Sequence, residues 1–185
     1  MNLPTYLTLL RIALIPIFII FYYLPWTWAK LFATLIFAFA AITDLLDGYL
    51  ARKLKLTSKF GAFLDPVADK LIVTVVLVLL AANHHLPYLV IPIVVIIGRE
   101  IVISGLREWM AELGKRARIA VSFMGKVKMV SQIFAIIFLL LSLPLASNFF
   151  LIIGYIGIYL AALITLWTMI VYIKAAWPDF EINSK

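Results

Sequence analysis

Long apolar runs alternate with short polar breaks along the chain, and six such runs can be drawn. Asn2 and Pro4 mark the first turn of a helix that extends to about Leu24, with Arg11 and Pro16 inside it. Pro25, Trp26 and Trp28 then mark an interface, where Trp sits at headgroup level. A second run goes from Ala29 to Arg52, and a polar, basic loop follows (Lys53, Lys55, Thr57, Ser58, Lys59). The third run spans Phe60 to Ala82 with Pro66 near its start, and Asn83, His84, His85 and Pro87 make a connection without Lys or Arg. The fourth goes from Tyr88 to Leu113 and ends in a loop carrying Lys115, Arg116 and Arg118. The fifth goes from Val121 to Leu143, and Ser142, Pro144, Ser147 and Asn148 predict an uncharged turn. The sixth goes from Phe149 to Ala176, before a short polar tail.

Each run is near or above the ~20 residues that cross a bilayer as a helix. No alternation of period two sustains a barrel, and no internal repeat is evident. The expected fold is therefore all-α, a polytopic membrane protein built as a bundle of six transmembrane helices. One domain over residues 1–185 is expected, without a linker. Lys and Arg alternate by loop, basic after the second and fourth runs and absent after the third and fifth. By the positive-inside rule the loop after Arg52, the Arg116 loop and both termini face the cytoplasm of a multi-pass protein. Lys30 is a minor exception.

Composition agrees. Of 185 residues 65% are hydrophobic and 14% charged, and the mean hydropathy is +1.12, which excludes an ordinary soluble domain. The net charge of +7 fits loops meeting anionic membrane lipid and gives no reason to expect nucleic acid. The first run lacks the basic leader and small-residue cleavage site of a signal peptide. There is no cysteine, hence no disulfide framework.

One polar stretch breaks the pattern, TDLLDGYLARKLKLTSKFGAFLDPVAD, with the frame Asp44-x2-Asp47-Gly48-x2-Ala51-Arg52-x8-Gly61-x3-Asp65-x3-Asp69. At about 100° per residue, Asp44, Asp47, Gly48 and Ala51 fall within roughly a third of a helix circumference, with Arg52 flanking them. Asp65 and Asp69 stack one turn apart, with Gly61 on the same side. Two such helices face to face gather four carboxylates, which cannot share a pocket unless protons or cations compensate them. Oxygen ligands with no Cys and no nearby His point to Mg²⁺ or Mn²⁺. Gly48, Ala51 and Gly61 allow a ligand close to the backbone, and Arg52 suits a phosphate. A bland alternative makes these helix-end charges meeting headgroups, but snorkelling charges need no fixed frame of glycines.

This frame resembles the signature of the CDP-alcohol phosphatidyltransferases at every fixed position, and its spacer of eight lies within that family's pattern. The resemblance implies that Asp44, Asp47, Asp65 and Asp69 hold divalent metal, two ions per site. It implies Asp69 as catalytic base, and Gly48, Ala51, Arg52 and Gly61 around the CDP-lipid.

A second constellation is GREIVISGLREWMAELGKRARIAVSFMGKVK, from Gly98 to Lys128. Arg99 and Glu100 lie inside the fourth run, and Arg107 and Glu108 lie two turns nearer its end. Structural pairing with other helices would account for Arg99 and Glu100, and topology for Lys115 and Arg116. Intramembrane charge is expensive without a task, so Arg99, Arg107 and Lys126, with Arg118, are candidates to bind an acceptor phosphate. This segment and the opening NLPTYLTLLR are similar to the phosphatidylglycerophosphate-forming branch of the family. That similarity implies CDP-diacylglycerol as donor, sn-glycerol-3-phosphate as acceptor, CMP as leaving product and a bacterial cytoplasmic (inner) membrane as location. Serine, inositol phosphate or a lipid remain alternative acceptors, and a cation transporter is the alternative outside enzymes. A homodimer is left open. Arg11 is read two ways, as a surface anchor or as a residue reaching the site. Gly157 and Ala161 form a small-xxx-small pair for helix packing. His84 and His85 are read as loop residues, and the Trp and Tyr residues mostly as interface belt.

Overall fold

A computed structural model describes residues 3–26, 28–54, 59–114 and 123–182. Within these, the side chains of 3–5, 45–54, 59–60, 62–63, 65, 123–128 and 178–182 lie outside the described residues. Every regular element among the described residues is a helix: α1 Leu3–Tyr23, α2 Ala29–Leu54, α3 Lys59–Ala81, α4 Val90–Glu112, α5 Phe123–Leu145 and α6 Asn148–Ile182. Tyr6–Tyr23 and Asn148–Trp177 are long and apolar enough to cross a membrane, and Met129–Leu145 is a shorter apolar stretch.

Each helix buries one stripe. On α1 it is Thr8, Arg11, Ile15, Phe18 and Tyr22, and on α2 it is Ala29, Ala33, Phe37 and Ala40. These steps of three and four are the helical period. The opposite faces expose large apolar side chains such as Ile20, Leu35, Phe39, Val94 and Leu163. In water that much exposed apolar surface would drive association. In a bilayer it is the face that lipid solvates, in keeping with a membrane protein.

The main core joins all six helices, with Phe18, Phe37, Val76, Ile96, Leu139 and Ile158 among its members. Small residues set the α5–α6 approach. A Cβ on Gly157 would lie 2.8 Å from the Ala135 Cβ, and one on Gly154 would lie 2.7 Å from Leu139 Cγ. Lipid chains are as apolar as Leu, so close van der Waals contact of this kind is what holds such helices together. Gly157 therefore packs as its spacing predicts, whereas Gly154 carries an equal share that the sequence reading did not assign.

The connection from α3 to α4 is tied down by hydroxyls. Asn83 Nδ2 donates to the Tyr22 hydroxyl at 2.9 Å, which donates in turn to the Leu79 carbonyl at 3.2 Å. Tyr155 and Tyr159, one turn apart on α6, donate to the Pro87 and Tyr88 carbonyls at 2.6 and 3.0 Å. Tyr88 holds φ at 64°, a left-handed conformation costing about 1–2 kcal/mol for an L-residue. Tyr22, Tyr155 and Tyr159 thus fasten loops and are not simple belt residues. His84 and His85 are exposed in this connection, as expected.

Most helix ends fall within one or two residues of the sequence reading, and two boundaries differ in kind. Ser142 and Pro144 stay helical in α5, and the turn is confined to Ala146 and Ser147. Ser142 directs its hydroxyl back to the Leu139 carbonyl at 2.7 Å, which satisfies it within the helix. Ala146, at φ 46°, makes the reversal. The second difference is α6, which continues past Ala176 to Ile182. Just before this extension Tyr172 and Ala176 are buried. Together with Ile103, Leu106 and Met110 of α4 they form a second apolar cluster beyond the main core.

Candidate active site

Arg11, Asp44 and Asp69 reach one point from three helices. Counting residues from Tyr23, Ala29 and Ala81, they lie roughly 18, 22 and 18 Å from the same end of the bundle at 1.5 Å per residue. Matched depth lets them meet. Arg11 Nη1 donates to Asp44 Oδ1 at 2.8 Å and also to Asp69 Oδ1. Two oxygens bound to one nitrogen lie no more than about 6 Å apart. The Arg11 side chain is 1% exposed, that of Asp44 18% and that of Asp69 32%. The guanidinium is therefore sealed in the bundle while the carboxylates keep an opening.

A small cavity adjoins them, of about 20 Å³, lined by Arg11, Asp44 and Asp69 and otherwise by apolar side chains such as Phe37, Ala40, Ile72 and Ile133. Charges in such surroundings interact more strongly than in water, because little solvent screens them. Of the two readings of Arg11, the structure selects the one in which it reaches the site.

The helix backbone places the other motif positions nearby. Asp47 and Gly48 lie one turn beyond Asp44 on α2, Ala51 and Arg52 two turns beyond, and Asp65 one turn before Asp69 on α3. The side chains of Asp47, Ala51, Arg52 and Asp65, and the surroundings of Gly48, lie outside the described residues. Gly61 is buried on α3. Pro66, between Asp65 and Asp69, interrupts the backbone ladder there. Among the described residues no group of three His, Cys, Asp or Glu side chains gathers. The two carboxylates that are described do fit a hard cation, since their oxygens already converge on one positive group.

The second constellation is split. Arg99 is 6% exposed, and its Nη2 donates to Thr168 Oγ1 on α6 at 3.1 Å, while Nη1 donates to Glu100 Oε1 at 3.3 Å. The Thr168 hydroxyl donates in turn to the Thr165 carbonyl at 3.0 Å. Arg99 and Arg107 both face the ring of Tyr172, at 5.8 and 5.9 Å from its centroid. Arg99 Nε is buried with no hydrogen-bond partner among the described residues. Arg107 is exposed. Lys126 lies in the first turn of α5 with its side chain outside the described residues, and Arg118 lies outside them altogether.

A contact missed in the sequence ties the two regions together. Lys70, the residue after Asp69, donates from Nζ to Ser104 Oγ of α4. Ser104 donates to the Glu100 carbonyl at 2.6 Å. Thr165, Thr168 and Tyr172 were also missed. Their spacing of three and four puts them on one face of an otherwise apolar helix, and that polar stripe was the available signal.

An apolar groove of about 640 Å³ lies elsewhere, between Gly105, Leu106 and Trp109 of α4 and Ile173 and Trp177 of α6. It has no carboxylate and no chemistry of its own.

Comparison with known proteins adds a family. The model of the CDP-alcohol phosphatidyltransferases matches residues 1–173. Three curated relatives, each named CDP-diacylglycerol–glycerol-3-phosphate 3-phosphatidyltransferase, are similar along nearly the whole chain. The one from Yersinia enterocolitica is 48% identical over 183 residues, 97% of each chain. The one from Pectobacterium atrosepticum is 52% identical over 178 residues, 96% of each chain. The one from Pseudomonas fluorescens is 50% identical over 186 residues, 100% of this chain and 95% of the relative.

Proposed function

The chain belongs to the CDP-alcohol phosphatidyltransferase family, and on that premise we propose that it transfers the phosphatidyl group of CDP-diacylglycerol to sn-glycerol-3-phosphate. The relatives' shared name and their identity of about half the residues support this donor and acceptor. The observation that carries the reading is the meeting of Asp44 and Asp69 on one guanidinium, because it brings both halves of the motif to a single point.

In the reaction the primary hydroxyl of glycerol-3-phosphate attacks the phosphorus that bears the diacylglycerol. The new P–O bond forms as the bond to CMP breaks, giving phosphatidylglycerophosphate, CMP and a proton. Asp69, the more open of the two described carboxylates, accepts that proton. Asp44, Asp47 and Asp65, with Asp69, would hold two Mg²⁺ or Mn²⁺ ions, and such ions supply the positive charge that a diphosphate requires. Arg52 adds a positive charge, and Gly48, Ala51 and Gly61, with little or no side chain, leave room for the nucleotide.

Arg107 leads the acceptor side because it is charged, exposed and oriented by Tyr172. Arg99 offers a buried N–H that an anion can satisfy. Lys126 and Arg118 are the remaining basic candidates for this role. The six helices are read as six spans of one domain, in a bacterial cytoplasmic membrane, with the motif near the cytoplasmic face. A site at that depth lets acyl chains remain in lipid while a soluble acceptor enters from water.

The test is CMP release from CDP-diacylglycerol with each acceptor in turn. Release is expected with glycerol-3-phosphate. Release with serine or inositol phosphate instead would assign a different acceptor.

A further inference from the structure

Arg11 stands on α1, outside both halves of the motif, yet it is the group on which they meet. One buried guanidinium nitrogen serves Asp44 of α2 and Asp69 of α3. The other cavity walls are apolar, so Arg11 is the only cation among the described residues lining it. Two carboxylates this close repel each other strongly in such surroundings unless a positive charge lies between them. The oxygens that Arg11 occupies are also the ones assigned above to a divalent ion.

We propose that Arg11 is a positioning residue that holds Asp44 and Asp69 in register as their internal counter-cation, and that it competes with the divalent ion for their oxygens. This rests on the metal-binding reading of those aspartates. Each carboxylate oxygen engaged by Nη1 has less capacity to coordinate, and a fixed positive charge beside the ion weakens its binding. Arg11 thus sets metal affinity below what the aspartates alone would give, and keeps the pocket formed when the ion leaves. A simple structural anchor on α1 would do neither.

The experiment uses the full chain in detergent, with Mn²⁺ binding followed by electron paramagnetic resonance and unfolding followed in chelator and in Mn²⁺. Arg11→Gln is expected to bind Mn²⁺ at least about tenfold more tightly than wild type, given the size of a unit charge at this range. Its unfolding temperature should fall in chelator and recover in Mn²⁺. The double variant Arg11→Gln/Asp69→Asn removes one positive and one negative charge, so in chelator it should be more stable than Arg11→Gln alone. If Arg11→Gln cannot be purified in chelator, recovery of folding by the double variant supports the counter-cation, and failure of both overturns it. Unchanged or weaker Mn²⁺ binding by Arg11→Gln, with equal destabilisation in chelator and in Mn²⁺, also overturns it and leaves Arg11 a packing anchor. Absence of Mn²⁺ binding by wild type is a separate outcome, which removes the metal reading and with it the competition.

Discussion

Arg11 and Asp44 form a 2.8 Å ion pair between α1 and α2, and the same nitrogen of Arg11 also reaches Asp69 on α3. Three helices are therefore joined at one buried charge. Groups that share a partner do not act independently. Asp44→Ala and Asp69→Ala, combined in one chain and unfolded in detergent, are expected to depart from the sum of the single effects by about 0.5–3 kcal/mol. Strict additivity would mean that the guanidinium is not shared.

Glycines divide sharply by what surrounds them. A Cβ at Gly157 meets Ala135 at 2.8 Å, whereas Gly105 has nothing within 4 Å. Gly157→Ala should destabilise the α5–α6 contact by about 1–3 kcal/mol, the usual cost of overpacking. Gly105→Ala should be neutral or stabilising by about 0.5–1 kcal/mol, because it removes helix-interior glycine. Denaturation of both variants in the same detergent checks the contrast, and equal effects would contradict the packing described.

Much of this arrangement was legible beforehand. The six helices follow from the six apolar runs, which are long enough for helices and show no alternation of period two, and their bounds shifted mainly at the α5–α6 turn, where Ser142 bonds back into its own helix, and at the end of α6. The carboxylate frame was legible because its spacing fixes a helix face. Arg11 was not resolved, since a lone Arg in an apolar run has no spacing to a partner 33 positions away. Matched depth across antiparallel helices decides that pairing, and depth emerges only once the loops are placed. Thr168 and Tyr172 were missed for the same reason. The contacts they make to α4 depend on which helices become neighbours.

Arg107 is the exposed member of the pair that faces Tyr172. Arg107→Gln should raise KM for glycerol-3-phosphate about tenfold or more, as expected for a lost charge-assisted contact, while KM for CDP-diacylglycerol changes little. Steady-state kinetics with each substrate varied separately checks this. An increase confined to the CDP-diacylglycerol KM would move Arg107 to the donor.

Orientation has its own test. A cysteine at Thr57 should react with an impermeant thiol reagent only from the cytoplasmic side, and one at His84 only from the opposite side. The chain has no native cysteine to confuse the result. Reversed labelling would invert the orientation drawn from the basic loops.

The most direct measurement on the reaction centre compares Asp44→Asn with Asp69→Asn for CDP-diacylglycerol binding in Mg²⁺ and for CMP release. The amide keeps the side chain's size, so packing is nearly constant. Asp44→Asn removes a metal ligand and should weaken metal and donor binding together. Asp69→Asn removes the base, which is typically worth 10²- to 10⁴-fold, so turnover should fall by about that factor while donor binding largely persists. Equal loss of donor binding in both variants would make Asp69 chiefly a ligand, and wild-type CMP release by both would contradict an active centre at these two carboxylates.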